Sequence, residues 1–174
     1  MYLHGSFAKA YQGHGTDKAL LGGILGYGPE DTRLRDSFEL ADKEKLDYKF
    51  IIEDLGNVHP NTVKIVLYYP DGRVFDVQGS SIGGGNIIIN QILGNDTEYT
   101  GKNPTIIATY PEQKGVIARI SYNLYEEGYN IFGMKTIKKD DKVMLVVELD
   151  EDLRQDVFEK IKAGKDFIFI KYLG

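Results

Sequence analysis

The chain has 174 residues, 42% of them hydrophobic, a net charge of −5 and no cysteine. That length accommodates one large or two small domains with a real core, and the acidic balance without any Lys/Arg run excludes nucleic acid as the main partner. No apolar stretch nears the roughly 18 residues of a membrane span, no leader pattern opens the chain, and without thiols it forms no disulfide and ligates no cluster of its own; a soluble cytoplasmic protein is expected.

Residues 5–17 read as a glycine-bracketed loop, Gly5-Ser6-Phe7-Ala8-Lys9-Ala10-Tyr11-Gln12-Gly13-His14-Gly15-Thr16-Asp17. A helix is predicted over 17–25, with Thr16 as its N-cap. Residues 31–45 are helical in part, with Leu34, Phe38 and Ala41 on the apolar face, and 48–53 read as a strand. Residues 63–69 and 73–79 form a hairpin about Pro70-Asp71-Gly72, whose residues suit a tight turn. Gly79-Ser80-Ser81-Ile82-Gly83-Gly84-Gly85-Asn86 reads as a second glycine-bracketed loop, and 86–92 as the last apolar strand of this half. Residues 94–104 are polar, carry two glycines and end in Pro104, which marks a linker or exposed loop and a domain boundary.

Beyond that boundary the pattern is strand, helix, strand, strand, helix, strand. Residues 105–110 are β-rich. Val116, Ile117, Ile120 and Leu124 fall on one helical face that Gly128 stops. Residues 130–138 and 142–149 form a hairpin turning at Lys139-Asp140-Asp141. Asp150, Glu151 and Asp152 supply negative charge to a helix start; Leu153, Val157, Phe158 and Ile161 make its apolar stripe, Ala163-Gly164 ends it, and 167–173 close as a strand. This order predicts an antiparallel sheet with both helices on one face.

Four groups of residues have the types that chemistry needs. His14 sits between Gly13 and Gly15, which free the backbone for unusual turns, just before a helix start whose positive end keeps an imidazole neutral and attracts carboxylate. That pairs a base with a docking point for an amino-acid carboxylate; the alternative is a histidine that caps its own loop. His59-Pro60-Asn61-Thr62 is either a site loop or a locally bonded turn, since Pro60 extends the residue before it. Ser80, Ser81, Gly83 and Gly84 offer hydroxyls and an anion-binding nest, or a bulged connection between two strands. Lys9 and Lys18 flank the first loop as solvated lysines. The acidic stretch 148–152 lacks calcium-loop spacing, and no dinucleotide fingerprint is present.

The two glycine-bracketed loops, with Val58-His59-Pro60-Asn61-Thr62 between them, resemble the β chain of the bacterial two-chain, iron-sulfur-dependent L-serine dehydratase over nearly the whole sequence. Residues 104–174, with Tyr110-Pro111-Glu112-Gln113-Lys114-Gly115-Val116-Ile117-Ala118, resemble an ACT domain. Tyr110, Glu112 and Lys114 stand where that family's loop usually has His, Asp and Pro. Members of the dehydratase family begin with a further strand-helix segment bearing a Pro-Ser-Ser-Ser-His-Thr-type motif, whereas this sequence opens at Met1-Tyr2-Leu3-His4-Gly5, so an N-terminally truncated domain is the expectation.

The resemblance implies an α+β protein with two domains. Residues 1–95 would be a dehydratase β-chain domain, related to the allosteric-substrate-binding domain of some phosphoglycerate dehydrogenases, and 104–174 a ferredoxin-like ACT domain. It implies a lyase subunit of amino-acid catabolism that deaminates L-serine to pyruvate and ammonia. The [4Fe-4S] cluster would sit on a cysteine-bearing α chain, a monovalent cation is a further candidate cofactor, and the ACT domain would self-associate. His14 would be the base, with Thr16 beside it. Gly13, Gly15, Asp17, His59, Asn61, Thr62, Ser80, Ser81, Gly83 and Gly84 would meet substrate, and Glu112, Gly115 and Val116 would form the regulatory loop. A regulatory amino-acid sensor and an assembly subunit without a direct catalytic role are the competing readings.

Overall fold

Two sheets, each with its own helices, organise the chain, which is therefore an α+β protein. A computed structural model describes residues 1–164 and 167–174 and divides into two units, Met1–Gly94 and Asn95–Gly174.

The first unit contains β1 (Tyr2–Leu3), α1 (Gly5–Ala10), α2 (Thr16–Ile24), a 3-10 helix (Thr32–Asp36), α3 (Ser37–Lys43), β2 (Ile51–Ile52), β3 (Thr62–Tyr68), β4 (Val74–Gly83) and β5 (Asn86–Ile92). Its strands run in the order β2-β1-β3-β4-β5, with β1 and β2 parallel and the other pairs antiparallel. Leu21 of α2 and Ala41 of α3 are fully buried, and Ile24, Phe38, Val63 and Ile65 pack around them. Phe50 adds a ring cluster, with centroids 5.6 Å from Tyr11, 6.5 Å from Phe38 and 6.2 Å from Tyr48; such offset and edge pairs each contribute about 0.5–1.5 kcal/mol beyond area burial. Gly22 lets α2 and α3 approach, since a Cβ there would lie 2.3 Å from Leu34 Cδ2 and 2.8 Å from Ser37 Oγ.

Several expectations for this unit are corrected. Residues 5–10 are a helix, so the first loop shrinks to a turn at 11–15. The N-cap of α2 is Gly15, at φ +68°, and Thr16 is already helical. Gly13 does not take a left-handed backbone, so only Gly15 uses glycine's freedom here. The strand at 48–53 is cut to Ile51–Ile52. Ser80 and Ser81 belong to β4, which runs on to Gly83 before a turn at 84–85, so the second loop is a hairpin with bulges. Its alternation was hidden by the glycines that interrupt it.

The second unit contains β6 (Asn95–Tyr99), β7 (Thr105–Pro111), α4 (Val116–Glu126), β8 (Ile131–Lys139), β9 (Lys142–Leu149), α5 (Gln155–Lys162) and β10 (Phe169–Leu173). From β7 onward the order is βαββαβ, and β10-β7-β9-β8 form an antiparallel sheet, the ferredoxin-like arrangement of an ACT-like unit. Val116, Ile120 and Leu124 of α4 and Val157, Phe158 and Ile161 of α5 meet Ile106, Leu145, Val147 and Leu149 of the sheet in one core.

Three expectations change in this unit. The presumed linker holds β6, in which Thr97 is buried between exposed Asp96 and Glu98; this period-2 pattern outweighs the polar composition. Ile117 is 40% exposed and lies off the core face of α4. The acidic trio precedes α5, whose N-cap is Arg154. Asp152 instead accepts a hydrogen bond from Tyr172 Oη at 3.2 Å, and Asp150 accepts one from Asn130 Nδ2.

Adjacent glycines in α2 should respond oppositely to alanine. Gly22→Ala should destabilise by about 1–3 kcal/mol through overpacking. Gly23 has open space around its Cβ position, so Gly23→Ala should stabilise by about 0.5–1 kcal/mol; denaturant midpoints measure both. The second expectation concerns Asp31, which caps the 3-10 helix and is gripped by Arg33 through contacts of 2.6–3.1 Å. The Arg33 side-chain hydrogen bonds, then its backbone N–H, lower the carboxyl from 3.8 to about 2. A depressed carboxyl adds stability that is complete above the ordinary value and lost as pH falls through the folded one. The stability deficit of Asp31→Asn should therefore be constant at neutral pH and shrink as pH falls from 3.8 toward 2.

Candidate functional site

Hydrogen bonds and one glycine contact knit three separated segments together in the first unit. His4 N–H donates to the Thr62 carbonyl at 3.0 Å, and Ser6 N–H donates to the Pro60 carbonyl at 2.7 Å. Gly5, at φ +57°, lies so close that a Cβ would sit 2.5 Å from Pro60 O. Glycine is therefore demanded twice at position 5, by backbone conformation and by space. The third segment joins through β4: Ser81 N–H donates to the Asn61 carbonyl at 3.0 Å, and Thr62 pairs with Ser80 across the β3–β4 ladder.

Under that junction lies a short polar chain. Thr62, with no exposed surface, donates from Oγ1 to the His59 carbonyl at 2.6 Å. Its Oγ1 is also 2.7 Å from Ser80 Oγ, which in turn is 2.9 Å from Asn90 Oδ1. Ser80 is 5% exposed. Beside the chain runs an apolar cleft of about 340 Å³, lined by Phe7, Thr16, Val63, Ser80, Ser81 and Ile87 among others. Thr16, Ser80 and Ser81 are thus brought to one depression, whose walls are mostly aliphatic.

His14 lies in the turn between α1 and α2. Its N–H donates to the Ala10 carbonyl at 3.1 Å, and Thr16 N–H donates to Tyr11 O at 2.9 Å, which closes the turn. The His14 ring is exposed and has no hydrogen-bond partner among the described residues. The other two histidines differ. His59 Nδ1 accepts Asn61 N–H at 3.1 Å, and His4 Nδ1 accepts Leu55 N–H at 3.1 Å with Asp54 Oδ1 at 3.4 Å. An Nδ1 that accepts leaves the proton of the neutral ring on Nε2, so these two rings are fixed as Nε2–H tautomers.

Asp17 is 8% exposed, and its Oδ1 accepts Lys18 N–H at 2.8 Å. A carboxylate of the chain thus already occupies the first turn of α2, which narrows the room for a ligand carboxylate there. Gly83, Gly84 and Gly85 all have positive φ at the hairpin tip, where Asn86 Nδ2 donates to the carbonyls of Gly83 and Gly84 at 3.3 Å each. The glycine run therefore turns the chain, and it does not line the cleft.

In the second unit, Glu112 N–H donates to Asp141 O at 2.7 Å, and the Glu112 carboxylate meets Lys138 Nζ at 2.5 Å, tying this loop to the β8–β9 turn. Gly115, at φ +91°, caps α4, and Val116 is 2% exposed within the core. Val116 therefore offers a ligand no side-chain surface. Among the described residues no group of three or more His, Asp or Glu is placed to hold a metal ion, and no helix is long and apolar enough to cross a membrane.

The sequence reading missed His4, whose ring braces Leu55, and Asn90. Asn90 had one visible signal: it interrupts the run Ile87-Ile88-Ile89 with a polar side chain.

No protein-family model matches the chain. It is 47% identical to the L-serine dehydratase, beta chain, of Peptoniphilus asaccharolyticus, over 98% of this chain and 78% of that protein. It is 32% identical to the probable L-serine dehydratase, beta chain, of Bacillus subtilis (strain 168), over 95% of this chain and 76% of that protein.

Gly5→Ala tests the junction. Strained φ and backbone overlap together should cost about 2–4 kcal/mol, read as a fall in denaturant midpoint. Gly13→Ala, whose Cβ would find only Ala10 O at 3.8 Å, should stay within about 0.5 kcal/mol of the parent.

Proposed function

The chain belongs to the family of L-serine dehydratase β chains, and on that premise we propose that it is the β subunit of a cytoplasmic two-chain enzyme that deaminates L-serine to pyruvate and ammonia. The first unit is then the β-chain catalytic domain and the second a regulatory ACT domain. The partner is a cysteine-bearing α chain that carries a [4Fe-4S] cluster. The residues here do not fit that cluster as ligands, because the chain has no cysteine; its thiolates must come from the partner. When bound there, the cluster supplies Lewis acidity at the serine hydroxyl.

The contribution of this chain is a base and its setting. Deamination begins with loss of the α-proton and the β-hydroxyl of serine, which leaves an enamine that tautomerises and hydrolyses. A neutral imidazole suits the first proton transfer. The observation that carries the assignment to His14 is its exposed, unengaged ring on a rigid turn, set against His4 and His59, whose Nδ1 atoms each hold a backbone N–H. The turn closes through Thr16 N–H, and the Thr16 side chain lies on the rim of the cleft. Ser80 and Ser81 add hydroxyls at the same depression.

The second unit supports a regulatory role by self-association. β8 is an edge strand, and Phe132 on it is 66% exposed. An exposed aromatic beside an unpaired ladder is a surface for another strand.

Co-expression with a cysteine-bearing α chain should yield serine-dependent pyruvate. His14→Ala in that assembly should lower kcat by about 10²–10⁴-fold, the usual range for a general base, with a smaller change in serine KM. Turnover near the parent value would remove His14 from the mechanism. Phe132→Glu should shift the chain toward monomer in sedimentation; an unchanged distribution would exclude the β8 edge as the contact.

A further inference from the structure

The polar chain beneath the site has too few protons as it stands. Thr62 and Ser80 own one hydroxyl proton each, yet three contacts need one: Thr62 to the His59 carbonyl at 2.6 Å, Thr62 to Ser80 at 2.7 Å and Ser80 to the Asn90 side chain at 2.9 Å. With a carbonyl oxygen at each end, one contact must go without, although Thr62 and Ser80 are buried. A buried oxygen pair at that separation with no proton between them is costly. The account closes if the Asn90 amide presents its nitrogen to Ser80, a half-turn of the side chain that exchanges two nearly isosteric atoms. Donation then runs one way, from Asn90 through Ser80 and Thr62 to the His59 carbonyl, and every contact is served.

The backbone shows how Asn90 reaches Ser80. In the β4–β5 ladder Gln78 pairs with Gln91 and Gly79 with Ile89, so Asn90 is the extra residue of a β-bulge. Bulges re-aim a side chain that a regular ladder would send elsewhere. The cross-strand partner of Ser80 is Ile88, yet its hydroxyl meets Asn90.

We propose that Asn90 is a positioning residue for the candidate site: as a hydrogen-bond donor it orders Ser80 and Thr62, fixes the His59 carbonyl, and so holds the His59–Pro60 turn on which Gly5 and Ser6 rest. Its bearing on serine turnover rests on the proposed dehydratase reading; its bearing on the turn does not. The path continues from the turn, because Ser6 N–H bonds the Pro60 carbonyl and α1, which Gly5 begins, leads directly into the His14 turn.

Two substitutions separate a donor from an acceptor at position 90. Asn90→Asp keeps the shape; as a carboxylate it only accepts, and once protonated it can donate. Asn90→Ala does neither. Amide hydrogen exchange on the full chain should show Ser6 and Asn61 exchanging at least about tenfold faster in both variants at neutral pH, the effect of losing roughly one hydrogen bond. Central β3–β4 amides such as Val66 should stay protected. As pH falls into the carboxyl range, the excess should shrink for Asn90→Asp and persist for Asn90→Ala. In the assembled enzyme both variants should lower serine turnover, and Asn90→Asp should recover part of it toward acid pH. Parent-like protection of Ser6 and Asn61 in Asn90→Asp at neutral pH would overturn the donor assignment, and equal loosening of all β3–β4 amides would overturn the positioning role. If exchange behaves as expected while the unsubstituted assembly makes no pyruvate, the dehydratase reading fails and the positioning role of Asn90 stands.

Discussion

The contact between Gly5 and Pro60 is the constraint on which the rest of the site depends. It puts a backbone carbonyl where any side chain at position 5 would have to be, with 2.5 Å to a built Cβ. Because Ser6 N–H bonds that same carbonyl, the start of α1 and the entry to β3 behave as one element. Everything downstream on α1, including the turn that carries His14, inherits its placement from this close approach. The stabilisation is local and small per bond, about 1 kcal/mol each, but several bonds between the same two segments remove their freedom to move apart.

A second theme is how hydrogen-bond capacity is assigned among similar residues. Three histidines occur in the chain, and two of them spend Nδ1 on a backbone N–H. Those bonds satisfy donors at Leu55 and Asn61, which are loop groups without a ladder partner. The third ring is left to solvent. Residues of one type thus divide into braces and a free group, and only the free group is suited to proton transfer with an outside molecule. The serines divide in the same way: Ser80 is committed to a buried chain of oxygens, and Ser81 uses its backbone to tie β4 to the His59 turn.

Much of the fold could be read from periodicity. The stripes of α4 and α5 and the β8–β9 hairpin stand out because each has its full repeat in contiguous residues. Helix α1 did not stand out, since six residues that begin with Gly5 carry too little pattern and the helix is fixed by contact with Pro60. Strand β6 was masked by polar composition, although Thr97 and Tyr99 alternate correctly with Asp96 and Glu98. At the site, the importance of residues 13–17, 59–62 and 79–81 was visible from their types. Their mutual contacts were not, because the Thr62–Ser80 pair exists only through ladder register, and register is a property of two strands together. Asn90 lay out of reach for the same reason: a bulge is defined by the partner strand.

The bulge in β5 also sets a phase. Side chains alternate between the two faces of a strand, so one unpaired residue exchanges the faces for everything beyond it. Ile92, only 4% exposed, sits two positions after Asn90. Shortening β5 by one residue at this point would straighten the ladder and send the Ile92 side chain to the opposite face of the sheet. The segment between Asn86 and Ile92 is therefore fixed in length as firmly as in composition: sequence drift can change its aliphatic side chains, but a single-codon loss here would turn the strand inside out.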